Sequence, residues 1–279
     1  MLNIINPTFY YKKRNRIVPV LKSLPLRAWV SFRFETARRG VYLSENEKLL
    51  ASLRNKHSGR RCFIIGNGPS LRIADLNRLT DEITFAANKI YLAFDETNWR
   101  PTYYAVTDDL VAKQNYHRIN ALSGFTKFFP SQAITLWGTP FDDAIYFRYI
   151  YYVNRYPKPP GFEVDSLNKV YAGRTVLYAF IQLACYMGIR EIYLIGVDFS
   201  FSEPSLKQGR MLISDGEPNQ FHPNYRKSGE KWVEPKLDRQ KLAFKKARAS
   251  VEHIGGCIFN ATRGGKLKVF PRVDFNQLF

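Results

Sequence analysis

Arg61-Cys-Phe-Ile-Ile-Gly-Asn-Gly-Pro-Ser-Leu71 reads as a strand that runs straight into a glycine turn. Cys62 to Ile65 carries no charge and suits a strand buried on both faces. Gly66 and Gly68 let the backbone approach a ligand with no Cβ in the way. Pro69 presets φ for a first helical turn, and Ser70 or Asn67 is placed to cap the exposed amides. Strand, glycine turn and helix N-terminus together form a seat for a nucleotide phosphate. Without a ligand, the same stretch is a plain β-to-α turn. It is neither G-x-G-x-x-G, because position 71 is Leu, nor a P-loop, because no Gly-Lys-Ser/Thr follows.

Outward from this stretch, strands and helices alternate, which predicts an α/β fold with a doubly wound, mostly parallel, Rossmann-like sheet. Expected strands are 62–65, 83–88, 103–107, 127–129, 133–137, 146–153, 191–198 and 257–262. A short helix is expected near 72–78. Gly173 to Met187 predicts a helix with an apolar stripe of Val176, Leu177, Phe180, Ile181, Ala184 and Cys185, closed by Gly188. Leu237 to His253 predicts a basic helix ended by Gly255-Gly256. Residues 155–167 read as an irregular loop, and residues 200–235 as a polar loop or lid.

The 279 residues divide by charge into a basic, aromatic N-terminal arm (1–58) and a catalytic domain (59–279). Residues 1–61 hold fourteen Lys/Arg against three Asp/Glu, so +11 of the net +18 sits in under a quarter of the chain. Phe9-Tyr10-Tyr11-Lys12-Lys13-Arg14 mixes rings with cations, as do Trp29, Phe32 and Phe34 among Arg27, Arg33, Arg38 and Arg39. That mixture suits the headgroup zone of an anionic membrane. The alternative is a helical arm packed on the main domain or on a second subunit of a homo-oligomer. Glu45 to Lys56 reads as a helix ended by Ser58-Gly59. The N-terminus lacks the apolar h-region of a secretory signal. Cys62, Cys185 and Cys257 lie apart in apolar stretches and read as buried thiols. Neither they nor His57, His117, His222 and His253 show metal-ligand spacing, so no catalytic metal held by His or Cys is expected.

Polar residues close several strands: Asn67, Asn88, Asp108-Asp109, Asp198 and Asn260/Thr262. In an open parallel sheet these ends face the ligand crevice, although each residue type is also an ordinary turn or capping residue. Adjacent Asp108 and Asp109 suit either a Mg²⁺ beside a nucleotide or a helix cap. His222, in Gln220-Phe-His-Pro-Asn-Tyr225, is a loop imidazole able to take a proton from a hydroxyl.

Three segments resemble a known group: Gly66–Leu71, Met187–Phe199 and Asn260–Asp274. They are similar to the MptE-like superfamily, which takes in bacterial family 42 sialyltransferases, motility-accessory-factor glycosyltransferases and archaeal 6-hydroxymethylpterin diphosphokinases. The resemblance implies a Rossmann-like, GT-A-like fold with a lid over a CMP-sugar, and no cofactor or metal. It places nucleotide contacts at Gly66, Asn67, Gly68, Ser70, Asn88, Thr175, Gly196 and Asp198, and makes His222 the general base; Asp108 joins the nucleotide-binding candidates from its place at a strand end. Where the sialyltransferases carry phosphate-steadying tyrosines, this chain has Ser200 flanked by Phe199 and Phe201. Tyr225, Arg226 and Arg174 are the candidates to replace them. The expected activity is transfer of an acidic sugar from a CMP donor to a glycan or glycolipid acceptor, such as lipopolysaccharide or capsule. The expected location is the cytoplasmic side of the inner membrane, through residues 1–58, with no nucleic-acid partner. The alternatives are a pterin diphosphokinase using ATP and Mg²⁺, and a membrane or nucleic-acid binding protein without catalysis.

Overall fold

The structure, a computed structural model, describes residues 24–151, 156–202, 206–208, 211–214 and 218–279. The cluster Phe9–Arg14, Val153 at the end of an expected strand and Arg155 at the start of the expected loop lie outside the described residues.

Among the described residues two helices come first, α1 (Leu24–Arg38) and α2 (Glu45–Ser52). The chain then runs through β1 (Arg61–Ile65), α3 (Ile73–Asn77), β2 (Ile83–Ala87) and β3 (Tyr103–Ala105). After these come α4 (Asp109–Gln114), α5 (Tyr116–Asn120), β4 (Thr126–Pro130), β5 (Ala144–Phe147) and β6 (Tyr149–Ile150). Next are β7 (Val170–Tyr171), α6 (Val176–Tyr186), β8 (Glu191–Ile195), β9 (Leu206–Gln208), β10 (Met211–Ile213) and β11 (Lys231–Val233). α7 (Leu237–His253) and β12 (Cys257–Asn260) follow, and a 3-10 turn, Phe275–Leu278, is the last element.

Seven strands form one sheet in the order β12-β8-β1-β2-β3-β4-β5, and every neighbouring pair is parallel. Strand order reverses at β1: β2 to β5 spread to one side, β8 and β12 to the other. The fold is therefore an α/β, Rossmann-like one, with its switch point between β1 and β8. Side chains alternate across the sheet. Cys62 and Ile64 join a core with α6 and α7, while Phe63 and Ile65 join a second core with α3, α4 and α5.

Residues 24–58 pack against this domain. Phe34, Ala37, Leu50 and Leu53 are buried in the first core. Asn46 Nδ2 donates to the Tyr146 carbonyl (2.9 Å), and the Tyr146 amide donates back to Asn46 Oδ1 (2.6 Å), so α2 covers edge strand β5. Burying Phe34 contributes roughly 1.5–3 kcal/mol, more than an exposed ion pair such as Arg38–Glu35. Leu24, Trp29 and Phe32 stay exposed.

Several expectations change. Residues 133–137 form a wide π-type helical turn, not a strand; Gly138 ends it in the left-handed region (φ 67°), and β5 takes the place beside β4. The strand expected from residue 146 is instead β5 and β6, parted at Arg148. α3 begins at Ile73 after Arg72, so Pro69 and Ser70 lie in the turn before it and cap no helix. α6 is buried on all sides, not along one stripe. Gln182 at its centre is satisfied by the Glu163 and Tyr171 amides and the Tyr171 and Tyr178 carbonyls. The 200–235 segment contains a three-stranded antiparallel sheet, β11-β10-β9. Cys257 is only partly buried. Among the described residues, no helix is long and apolar enough to cross a membrane.

Candidate functional site

Gly66 and Gly68 sit where the switch point demands closeness. A Cβ on Gly66 would overlap the Gly196 carbonyl, and one on Gly68 would overlap the Asp198 carboxylate. The Gly66 amide donates to Ile195 O (2.8 Å) and the Gly68 amide to Gly196 O (2.9 Å), so the turns after β1 and β8 are laced together. Above them lies a cavity of about 290 Å³, at the lower end of the range for small-ligand sites.

Its floor is Gly66, Asn67, Gly68, Gly196 and Asp198; Asn88 and Asp108 come from the ends of β2 and β3, and Thr175 from the start of α6. The lid adds Tyr225, Arg226, Glu230 and Trp232. Of the expected nucleotide contacts, then, all but Ser70 line the cavity. Ser70 Oγ instead donates to Asp198 Oδ2 (2.8 Å) and orients that carboxylate. Asn260 and Thr262 are buried structural residues. Asn260 bonds Leu267 O and the Thr262 amide, and Thr262 Oγ1 accepts from the Val197 amide.

The two asparagines differ from ordinary turn residues. Asn67 Nδ2 donates to Ala87 O (3.0 Å), but its buried Oδ1 has no partner among the described residues. Asn88 is left-handed (φ 55°), its carbonyl accepts from the Tyr104 hydroxyl, and its buried Oδ1 also has no partner. On the lid, Trp232 Nε1 is a buried donor with no partner among the described residues. Buried polar atoms are normally paired. Two acceptors and a donor of this kind lie around one cavity.

Two expected site residues also cap helices. Asp108 Oδ1 accepts from the Leu110 and Val111 amides at the start of α4. Surrounding protein, then neighbouring Asp109, raises the Asp108 pKa, and those amides pull it back; the side chain stays open to solvent at the cavity mouth. Thr175 Oγ1 accepts from the Leu177 amide (3.3 Å). Among the described residues, no three His, Cys, Asp or Glu gather as a metal site.

The three residues named for catalysis divide. Tyr225 is buried and lines the cavity. Arg174 (φ 64°) and His222 are not among the lining residues. The Arg174 carbonyl accepts from Gln240 Nε2 (3.0 Å). His222 Nδ1 accepts from the Asn224 amide (3.1 Å), and its Nε2 is 3.7 Å from Glu96 Oε1. The neighbouring Phe221 amide donates to Asn67 O (2.9 Å), so this part of the lid rests on the glycine turn. Sequence reasoning missed Lys89, Glu230 and Trp232. Only Lys89 carried a signal, as the residue after Asn88 at a strand end.

No curated protein matches the chain in sequence. Among solved structures it is similar to the MAf glycosyltransferase from Magnetospirillum magneticum AMB-1, at 15% identity and a TM-score of 0.49 over 86% of this chain. It spans 40% of the length of that protein. It is also similar to the sialyltransferase CstII from Campylobacter jejuni, solved with a substrate analogue, cytidine-5'-monophosphate. There the identity is 14% and the TM-score 0.44, over 77% of this chain and 85% of the other. The family model described as 6-hydroxymethylpterin diphosphokinase MptE-like matches residues 42–204, from just before α2 to the loop after β8. That match covers more than half of the sequence and includes the whole glycine floor, and by it the chain belongs to the MptE-like family.

Proposed function

We propose that the protein is a glycosyltransferase. It moves an acidic sugar (sialic acid, another nonulosonate or Kdo) from a CMP-activated donor to a surface glycan such as lipopolysaccharide or capsule. The observation that carries this reading is the pair of unpartnered amide oxygens, Asn67 Oδ1 and Asn88 Oδ1, beside a glycine-floored cavity at the switch point. Such oxygens call for N–H or O–H donors, which the cytosine amino group and the ribose hydroxyls supply. The choice of cytidine rests on the resemblance of Gly66–Leu71 and Met187–Phe199 to the sialyltransferase motifs.

In this reading the bond from the anomeric carbon to the CMP phosphate oxygen breaks. A bond to the acceptor oxygen forms, and the acceptor proton passes to a base. CMP leaves with the negative charge, and catalysis consists largely of stabilising that charge and positioning the acceptor. Tyr225 and Arg226 line the cavity on the lid and are the residues to receive it, in preference to Arg174. His222 serves as base only if the lid turns its Nε2 away from Glu96. Exposed Leu24, Trp29 and Phe32 of α1, with the exposed Arg38 and Arg39 cations at its end, are the side chains that meet an anionic membrane on the cytoplasmic face in this reading, whereas Arg33 is taken up by buried Glu47.

A second reading is favoured by the family's own description: diphosphoryl transfer from ATP to a hydroxymethylpterin, with Mg²⁺ near Asp108 and Asp198. Both carboxylates line the cavity, but Asp198 Oδ2 is taken by Ser70 and Asp108 caps α4. They do not make a protein-held metal site, so the metal would arrive with the nucleotide. Thermal-shift measurements with CMP, CDP, UDP, GDP and ATP separate the two. CMP stabilisation that survives EDTA supports the transferase, whereas Mg-dependent ATP stabilisation alone supports the kinase.

A further inference from the structure

One ion pair closes the lid onto the sheet from inside the cavity. Lys89 follows Asn88 at the end of β2, and its Nζ lies 2.7 Å from Oε1 of Glu230 on the lid. The two side chains are 9% and 17% exposed, and both line the cavity. Glu230 Oε2 accepts the Lys227 amide (3.0 Å), so the carboxylate is held from both ends. Lys89 Nζ is also 5.8 Å from the centre of the Tyr225 ring. Taking both charges out of water is costly, and a hydrophobic pair of similar size would hold a lid as well or better.

Resting on the nucleotide-transferase reading, we infer that Lys89 binds the phosphate together with Tyr225 and Arg226, and that Glu230 occupies the phosphate's place until a nucleotide enters. The glycine floor and the unpartnered Asn67 and Asn88 oxygens put the nucleotide beside Lys89. A phosphate carries up to two negative charges and competes with a carboxylate for the same ammonium. The entering phosphate repels Glu230, Lys89 changes partner, and the 227–231 segment of the lid is released from β2. Glu230 is then both a latch and a competitor of the anionic ligand. A merely structural ion pair would aid binding by keeping the lid in place.

The test compares Kd for CMP with Kd for cytidine by calorimetry, so that the phosphate increment is read apart from base and ribose. In the wild-type protein CMP binds more tightly than cytidine. Lys89→Met cuts that preference, weakening CMP about tenfold or more, and leaves cytidine nearly unchanged. Glu230→Gln strengthens CMP several-fold and leaves cytidine unchanged. If Lys89→Met does not fold, the charge-free pair Lys89→Met/Glu230→Leu serves in its place and shows the same fall in CMP preference. The inference is overturned if Glu230→Gln weakens both ligands alike or leaves the CMP preference unchanged, or if removal of Lys89 leaves the preference undiminished. If the wild-type protein binds no nucleotide, the transferase reading fails and takes the inference with it. If the wild-type protein prefers CMP and only the variants disagree, the inference alone fails.

Discussion

Ser70 Oγ lies 2.8 Å from Asp198 Oδ2, joining the turn after β1 to the turn after β8 across 128 residues of sequence. This bond aims the Asp198 carboxylate at the switch point, and Gly68 leaves the space that the carboxylate occupies. Gly68→Ala is expected to destabilise the fold by about 1–3 kcal/mol, because the added methyl displaces Asp198 or the Gly196 carbonyl. Ser70→Ala keeps the fold and loosens only the carboxylate. Urea unfolding together with nucleotide titration checks both: Gly68→Ala loses stability and binding, Ser70→Ala mainly binding. Equal stability of Gly68→Ala and wild type would contradict the packing described.

Asn88 offers a cleaner separation of side chain from backbone. Its left-handed φ of 55° suits glycine, so Asn88→Gly removes the amide without straining the chain. The lost Oδ1 is an unpartnered buried acceptor, so its removal costs little stability. Nucleotide affinity is expected to fall about tenfold while the unfolding midpoint stays close to that of wild type. An unchanged affinity would take Asn88 out of the site.

His57 gives the fold a pH dependence far from the cavity. Burial first, then Lys56 and Arg60, lowers its pKa, and its Nε2 lies 2.6 Å from the Tyr103 hydroxyl oxygen. The unfolded chain accepts a proton near pH 6.5, whereas the folded chain resists it until lower pH. Stability is therefore complete above about pH 6.5 and declines as pH falls through the window below it. Denaturant midpoints between pH 7.5 and 5 should decline less steeply in His57→Gln than in wild type; an equal slope would contradict the assignment.

The alternation of strands and helices and the glycine turn were legible because a doubly wound sheet needs apolar strands that end in residues without bulk. Asn67, Asn88, Asp108 and Asp198 were legible for the same reason, since strand ends converge on one sheet edge, whereas Thr175 was named only through the family resemblance. Residues 133–137 misled because Ile134, Thr135 and Trp137 are strand formers, and their wide turn is set by tertiary contacts that local preference does not record. The lid sheet was hidden by strands of three residues. Lys89 and Glu230 are 141 positions apart, and no local pattern announces such a pair.

His222 is the expected base by resemblance, yet it faces Glu96 and not the cavity. If it acts after the lid moves, His222→Ala lowers kcat about a hundredfold or more, in line with loss of a general base, and leaves CMP binding intact. Loss of CMP binding with unchanged single-turnover rate would reassign it to holding the lid.

The most direct measurement is CMP release from a CMP-linked acidic sugar in the presence of a glycolipid acceptor and EDTA, for wild type and Asn67→Ala. The account predicts acceptor-dependent release that survives EDTA and falls at least tenfold in the variant. Absence of release, with Mg-dependent diphosphoryl transfer from ATP to 6-hydroxymethylpterin in its place, would contradict it.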